Sequence, residues 1–121
     1  MKLTAIIAVR NETLYLDRCC RHLESQGVQF AIIDNDSTDG TRAIAESYRG
    51  RGLICVVNHP YPGYYDWGGL LARKEQLARE LDGDWFMHLD ADEIPEPPQR
   101  HESLIDRLAK ADADGYTAVN F

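Results

Sequence analysis

The sequence is short of cysteine, of long apolar runs and of positive charge, and each shortage excludes a class of protein. Its three cysteines, Cys19, Cys20 and Cys55, form neither an even set nor a metal-ligand spacing, so we expect reduced thiols and a cytoplasmic protein. No run approaches about 18 apolar residues, so we expect no transmembrane segment. A formal net charge of −7 argues against a nucleic-acid partner, because nucleic acids bind to basic surfaces.

The sequence also lacks a Walker loop, a Gly-x-Gly-x-x-Gly turn and a nucleophile elbow. The pattern that is present alternates strands with helices. Apolar runs predict strands over residues 2–9, 28–34, 53–57 and 84–90, and a fifth beginning at Tyr116. Helical spacing predicts helices over residues 12–26, 40–49, 70–81 and 99–111. This order predicts an α/β fold, with a mostly parallel sheet and helices on both of its faces.

Ligands of such sheets bind beyond the carboxyl ends of the strands, and two acids follow the predicted fourth strand. Asp90 and Asp92 lie two positions apart, so an extended segment would point both side chains the same way. Two carboxylates in this arrangement repel each other unless a cation lies between them. Mg²⁺ and Mn²⁺ prefer oxygen ligands and keep phosphate oxygens in their coordination shell. We interpret the pair as a metal site that bridges a diphosphate; the alternative is a solvated acidic loop.

Polar residues also follow the first two predicted strands. Asp34 and Asn35 end the second strand, where they either hydrogen-bond a nucleotide base or serve as ordinary turn and cap residues. Arg10 ends the first strand, where it either meets an anionic ligand or forms a surface salt bridge with Glu12 or Asp36.

Three further features have two interpretations each. Arg73 and Lys74 open the third predicted helix, where they either meet an anionic ligand or belong to a solvated helix face. The loop over residues 60–67 carries tyrosines and a tryptophan, which form a platform for a sugar or base or else plug the end of the sheet. His88 precedes the acidic pair by two positions and is more typical of a packed strand residue than of a ligand.

Together these motifs resemble family 2 glycosyltransferases, enzymes with a Rossmann-like GT-A nucleotide-binding sheet. The first βαβ unit of that family is similar to residues 6–41, which end in DNDSTDGT. Its Gly-rich helix and Asp-x-Asp strand are similar to residues 68–93, which run from GGLLARKEQ to HLDADE. The resemblance implies a metal-dependent enzyme, using Mn²⁺ or Mg²⁺, that transfers a hexose with inversion from a nucleotide-diphosphate sugar. A UDP-sugar is the favoured donor, and the acceptor is unknown.

The resemblance also implies a role for individual residues. Asp92 would bind the metal, and Asp90 would touch the ribose or the metal. Four departures leave the nucleotide open. Arg10 stands where the family usually has an aromatic residue, and Lys74 stands where it has asparagine. Asn35 stands in place of the second acid after the second strand, and Asp36 in place of the usual glycine. With Asp90, the implied nucleotide site comprises Ala8, Arg10, Glu12, Asp34, Asn35 and Arg73.

The general base of the family is an acid in the acceptor-binding half of the enzyme, and no acid here matches that position. We therefore expect residues 1–121 to be a single nucleotide-sugar-binding domain, truncated before the acceptor-binding half, with the base beyond Phe121. Within the chain, Glu93 is the candidate. Two alternatives are a non-catalytic nucleotide-binding module and a nucleotidyltransferase. The latter usually needs a Gly-rich basic loop after the first strand, whereas VRNET contains no glycine.

Overall fold

Strands and helices alternate along the chain in the predicted order. The structure, a computed structural model, describes residues 1–120. The strands are β1 (Leu3–Val9), β2 (Gln29–Asp34), β3 (Leu53–Asn58) and β4 (Trp85–Asp90). The helices are α1 (Leu16–Ser25), α2 (Thr41–Glu46), α3 (Trp67–Glu80) and α4 (Leu104–Ala113). None of the helices within these residues has both the length and the apolar character needed to cross a membrane.

The four strands form one parallel sheet in the order β3-β2-β1-β4. The central strand β1 pairs on one side with β2, where Val9 lies opposite Asp34. On its other side β1 pairs with β4, where Ala8 lies opposite Asp90. Strands β2 and β3 follow one another on one side of β1, and the chain then crosses the sheet to place β4 on the other side of β1. The carboxyl ends of β1 and β4 flank the resulting switch point, which is where parallel sheets bind their ligands.

Both faces of the sheet are covered by helices because side chains alternate between the faces along each strand. One face of the sheet packs on α1, α2 and α4 through a core that includes Leu3, Ile7, Leu16, Leu23, Tyr48 and Leu104. The other face packs on α3 through a smaller cluster of Ile6, Ile33, Leu70 and Leu77. This architecture confirms the predicted α/β fold with helices on both faces.

The predicted fifth strand is wrong for the residues that can be described. Residues 116–120 are irregular, while Phe121, the last residue of that prediction, lies outside the described residues. The segment over Thr117–Asn120 instead shares the walls of a cavity of about 630 Å³ with the outer edge of β4. A strand needs a partner to complete its hydrogen-bond ladder, and the β-propensity of the sequence YTAV does not supply one.

The predicted boundaries of the fourth helix were also too early. The helix begins after Ser103, whose Oγ accepts from the main-chain nitrogen of Asp106 at 3.0 Å. The Asp106 carboxylate in turn accepts from the Ser103 main-chain nitrogen at 3.2 Å, which completes a capping box. This reciprocal pair fixes the start of the helix at residue 104, five positions after the predicted start at residue 99. The earlier start was predicted because Pro97 and Pro98 suit the beginning of a helix.

Candidate functional site

A cavity of about 340 Å³ opens at the carboxyl ends of β1 and β4. The end of β1, the loop before α3, the inner face of α3 and the end of β4 provide its walls. The larger cavity beside β4 holds only His88 and Glu93 of the residues singled out from the sequence, so most of the candidate chemistry lies in the smaller one. Six of the predicted site residues line it, namely Ala8, Arg10, Glu12, Asn35, Asp90 and Asp92.

Three exposed carboxylates converge at the end of β4. Asp90, Asp92 and Glu93 each offer an oxygen within 4.8 Å of the others. A turn brings them together: β4 ends at Asp90, and the buried Ala91 anchors the chain as it reverses. The extended arrangement expected for Asp90 and Asp92 is therefore wrong, although the two acids do meet. The Glu93 carboxylate closes this turn by accepting from the Asp90 main-chain nitrogen at 2.9 Å.

A fourth acid faces this cluster from the loop after β1. Burial raises the pKa of the Glu12 carboxyl, and the charges of Asp92 and Asp90 raise it further. The main-chain nitrogen of Glu12 donates to Thr41 Oγ1 at 2.8 Å, which holds the loop in place. The carboxylates lie close together, and that of Glu12 is poorly solvated. Such a set of oxygen ligands suits a hard divalent cation. The residues present therefore fit a Mg²⁺ or Mn²⁺ ion.

Arg10 ties together the ends of three strands. Its Nη1 donates to the main-chain oxygens of Asn35 at 2.8 Å and of Asp36 at 2.7 Å. The guanidinium carbon also lies 3.6 Å from the ring centroid of Tyr61, in the loop after β3. The salt bridge considered from the sequence is replaced by these contacts, because the guanidinium fork reaches two carbonyl oxygens and an aromatic face at once. Arg10 thus gives the cavity floor a rigid, positively charged side.

Asn35 joins the same floor from β2. Its side chain is buried, and its Nδ2 donates to the main-chain oxygens of His59 at 2.8 Å and Pro60 at 3.3 Å. Asp36 accepts from the Tyr61 main-chain nitrogen at 2.7 Å, and this hydrogen bond lowers the pKa of the Asp36 carboxyl. These contacts fix the path of the loop that leaves β3 toward the aromatic residues.

A comparison with protein families matches nearly all of the residues described above. The family model described as "Glycosyl transferase family 2" matches residues 4–120, which is nearly the whole chain. This chain belongs to glycosyltransferase family 2. The match covers the complete sheet and all four helices, so it includes the four walls of the cavity.

Several relatives of this chain are named as glycosyltransferases. This glycosyltransferase chain is 33% identical over 112 residues to the lipopolysaccharide core biosynthesis glycosyltransferase LpsC of Rhizobium meliloti, covering 93% of this chain and 39% of LpsC. It is 29% identical over 92 residues to an uncharacterized glycosyltransferase of Rickettsia bellii, covering 76% of this chain and 28% of that protein. The chain therefore spans about two fifths or less of these relatives.

Solved structures share the fold. The crystal structure of S. aureus TarS 1-349 superposes with a TM-score of 0.71 at 22% identity, covering 93% of this chain and 33% of TarS 1-349. The same TarS segment in complex with UDP-GlcNAc gives a TM-score of 0.70 at 22% identity, with coverages of 93% and 32%. At this level of identity the likeness shows the GT-A fold that the sequence resemblance implies.

Two predicted site residues of this family 2 chain lie outside the cavity lining. Asp34 is buried, accepts from the Ser37 main-chain nitrogen at 3.0 Å and lies 3.7 Å from Arg42 Nη1. These contacts match the turn role that the sequence left open beside base binding. Arg73 donates to Gln76 on α3 at 2.8 Å, and its charge acts on Cys55 of β3. Arg73 precedes the cavity-lining Lys74 by one residue, a rotation of about 100° around the helix, and so lies off the cavity face.

Lys74 lines the cavity, although the implied nucleotide site did not include it and the sequence left it open between a ligand contact and a solvated helix face. Only 7% of it is exposed, and its Nζ donates to His88 Nδ1 at 2.9 Å and the Leu89 main-chain oxygen at 3.3 Å. Burial lowers the pKa of this ammonium, while the charges of Asp90 and Glu93 raise it. The available signal was its place in the apolar stripe of α3, between Leu70 and Leu77, where a solvated lysine does not belong.

The aromatic loop forms a platform and does not plug the sheet. Tyr65 is 70% exposed and Trp67 is 59% exposed, and both line the cavity. Asp66 between them caps α3 by accepting from the Gly69 main-chain nitrogen at 3.1 Å. The cap fixes the loop at the start of the helix, so the two exposed rings are held beside the acids without being packed into a core.

Proposed function

We propose that this chain binds the donor of a family 2 glycosyltransferase, a UDP-sugar, together with a Mn²⁺ or Mg²⁺ ion. Asp92 and Asp90 would hold the ion. The observation that carries the proposal is the convergence of Asp90, Asp92 and Glu12 at the end of β1 and β4. An anionic donor would otherwise be repelled by these acids, and a divalent cation reverses the sign of that interaction.

The choice of a uridine nucleotide rests on the solved relatives. TarS 1-349 has been crystallised with UDP-GlcNAc and with UDP, and it shares the sheet that forms this cavity. The base would lie between β1 and the loop after β3, beside Ala8, Arg10 and Asn35. In that region the buried Asn35 offers the polar groups of its amide. Arg10, which is stacked on the Tyr61 ring, offers the edge of its planar cationic guanidinium.

The reaction we propose is inverting transfer of a hexose. An acceptor hydroxyl attacks the anomeric carbon while the bond from that carbon to the diphosphate oxygen breaks. A bound ion would neutralise the charge that develops on the departing diphosphate. Within this chain, Glu12, Asp90 and Asp92 would orient that ion, and the rings of Tyr65 and Trp67 would exclude water from the sugar.

We further propose that the general base lies outside residues 1–121, in an acceptor-binding part of a longer enzyme. The coverage of 39% of LpsC supports a chain that supplies the donor half. The hydrogen bond from the Asp90 main-chain nitrogen to Glu93 argues against Glu93 as the base, because it holds one carboxylate oxygen in the turn.

The three free cysteines support a place in the cytoplasm, where thiols stay reduced.

The experiment that tests the proposal is calorimetry of UDP binding with and without Mn²⁺. We expect Asp92→Ala to weaken Mn²⁺-dependent UDP binding by about 2 kcal/mol, roughly thirtyfold in Kd, since the variant loses one charged oxygen ligand. Asp112→Ala is the matched control, because it removes an exposed acid at the far end of α4. Equal UDP affinity in the wild type and Asp92→Ala would overturn the metal assignment.

A further inference from the structure

Acidic side chains outnumber basic ones in the wall of the donor cavity, and Lys74 is one of the two basic ones. Glu12, Asp90 and Asp92 bring three carboxylates to the lining, while Arg10 and Lys74 bring two cations. The Arg10 guanidinium is already committed to two carbonyl oxygens and to the ring of Tyr61. Lys74 is therefore the cation with capacity left for the acids and for a ligand.

The geometry of Lys74 fits a fixed charge that is built into the wall. Its Nζ has acceptors in His88 Nδ1 at 2.9 Å and in the Leu89 main-chain oxygen at 3.3 Å. An ammonium has three donors, so two are used by β4 and one is left. The side chain thus anchors α3 to the strand that carries the acidic cluster.

We infer that Lys74 is a positioning residue whose charge partly offsets the acidic cluster at the end of β4, which leaves a nucleoside diphosphate some affinity before any divalent ion binds and limits how tightly the ion is held. This inference deepens the proposed function and rests on it. A positive charge in the wall attracts the diphosphate and repels a divalent cation, so its removal changes the two affinities in opposite directions. Loss of packing alone would weaken both.

The test measures two affinities in each variant, that of UDP in the presence of EDTA and that of Mn²⁺ alone. We expect Lys74→Met to weaken metal-free UDP binding about tenfold and to tighten Mn²⁺ binding about tenfold, as expected for one partly screened unit charge. Lys74→Arg keeps the charge and should stay close to the wild type. Arg79→Met is the matched control, because it removes an exposed cation from the same helix.

The outcomes separate this inference from the proposed function. Parallel changes of the two affinities in Lys74→Met, no change in either, or a Lys74→Arg variant that behaves like Lys74→Met would each overturn the inference. Lys74→Gln, which removes the charge and keeps a donor, provides the same comparison if the methionine variant does not fold. A wild-type chain that fails to bind UDP even with Mn²⁺ would instead overturn the proposed function, and this inference with it.

Discussion

Glu12 shows how the neighbours of a single carboxyl group govern its charge. Burial in the loop after β1 and the nearby charges of Asp92 and Asp90 raise the pKa of Glu12 above its ordinary value. At a pH between the ordinary pKa and the raised pKa, Glu12 holds a proton in the folded protein that it has released in the unfolded chain. The free energy of unfolding therefore falls as the pH rises through this window, and Glu12 destabilises the metal-free protein at neutral pH.

We expect Glu12→Gln to stabilise the metal-free protein at pH 7, because glutamine carries no charge to repel Asp90 and Asp92. The gain should be about 1 kcal/mol or less, since solvent screens a half-buried group. It should disappear near pH 4, where Glu12 is protonated in both the folded and the unfolded state. Urea unfolding at the two pH values measures this difference.

Glu24 is a control of opposite sign. Hydrogen bonds from Arg51 lower the pKa of the Glu24 carboxyl below its ordinary value. Glu24 therefore stabilises the folded protein at a pH above the ordinary pKa, and this stabilisation is lost as the pH falls through the lowered pKa. Glu24→Gln should slightly destabilise the protein at pH 7. A stabilising effect of both variants, or of neither, would contradict the account given for Glu12.

The residues of the site differ in how well the sequence predicted them. Asp90 and Asp92 are close in the sequence, so any turn or strand end brings them together. Arg10 contacts Tyr61, and Lys74 contacts His88 on a different element. Such pairs depend on which faces of α3 and β4 meet, and a pattern along one element carries no information about that. The sequence therefore indicated the acids directly, whereas it left Lys74 open between a ligand contact and a solvated helix face and did not predict its burial against β4.

At the scale of elements, the start of α3 is fixed by Asp66. The side chain of this residue accepts from the Gly69 main-chain nitrogen at 3.1 Å and leaves no space for a β-carbon at Gly69. At Gly68, by contrast, a β-carbon would meet nothing within 4 Å. Of the two adjacent glycines, Gly69 alone is required by close contact, and the loop that carries Tyr65 depends on it.

These glycines give a matched pair of variants. Gly68→Ala should stabilise the protein by about 0.5–1 kcal/mol, because alanine favours a helix over glycine. Gly69→Ala should show no such gain, because its methyl group displaces the Asp66 cap, which contributes about 1 kcal/mol. Thermal unfolding of both variants measures the difference. Equal gains in stability for the two variants would show that Asp66 does not stabilise the start of the helix as an N-cap.

The order of elements was predictable because each apolar run is bounded by glycine, proline or charged residues. Helix ends were less predictable: the Pro97-Pro98 signal placed the start of the fourth helix too early, while the capping box of Ser103 and Asp106 decided it. The final segment from Tyr116 to Asn120 carries β-favouring residues and still forms no strand. Strand formation needs a partner edge, which local sequence does not encode.

For the whole molecule, ligand binding and folding stability are linked. The chain has a formal net charge of −7, so UDP without a cation approaches a repulsive surface. Any ligand that binds only the folded state adds RT ln(1 + [L]/Kd) to the free energy of unfolding. Stability in the presence of nucleotides is therefore a direct measure of which nucleotide the cavity accepts.

We expect UDP with Mn²⁺ at one hundred times its Kd to stabilise the chain by about 2.7 kcal/mol, a rise of about 10 °C in Tm. GDP and dTDP at the same concentration should give smaller shifts if the cavity is specific for uridine. Thermal-shift measurements with each nucleotide test this. A larger shift with GDP or dTDP would contradict the choice of UDP and leave the family assignment intact.

The strand order has a consequence for how the chain acquires its shape. β1 can pair with β2 as soon as α1 has formed, whereas its other edge waits for β4, where Leu3 meets Trp85. Closing so long a stretch of chain costs more entropy, so we infer that β4 docks late in folding. Glu12, in the loop after β1, is then kept apart from the acids at the end of β4 until the rest of the sheet exists. An ion at those acids would slow unfolding and leave the rate of folding unchanged.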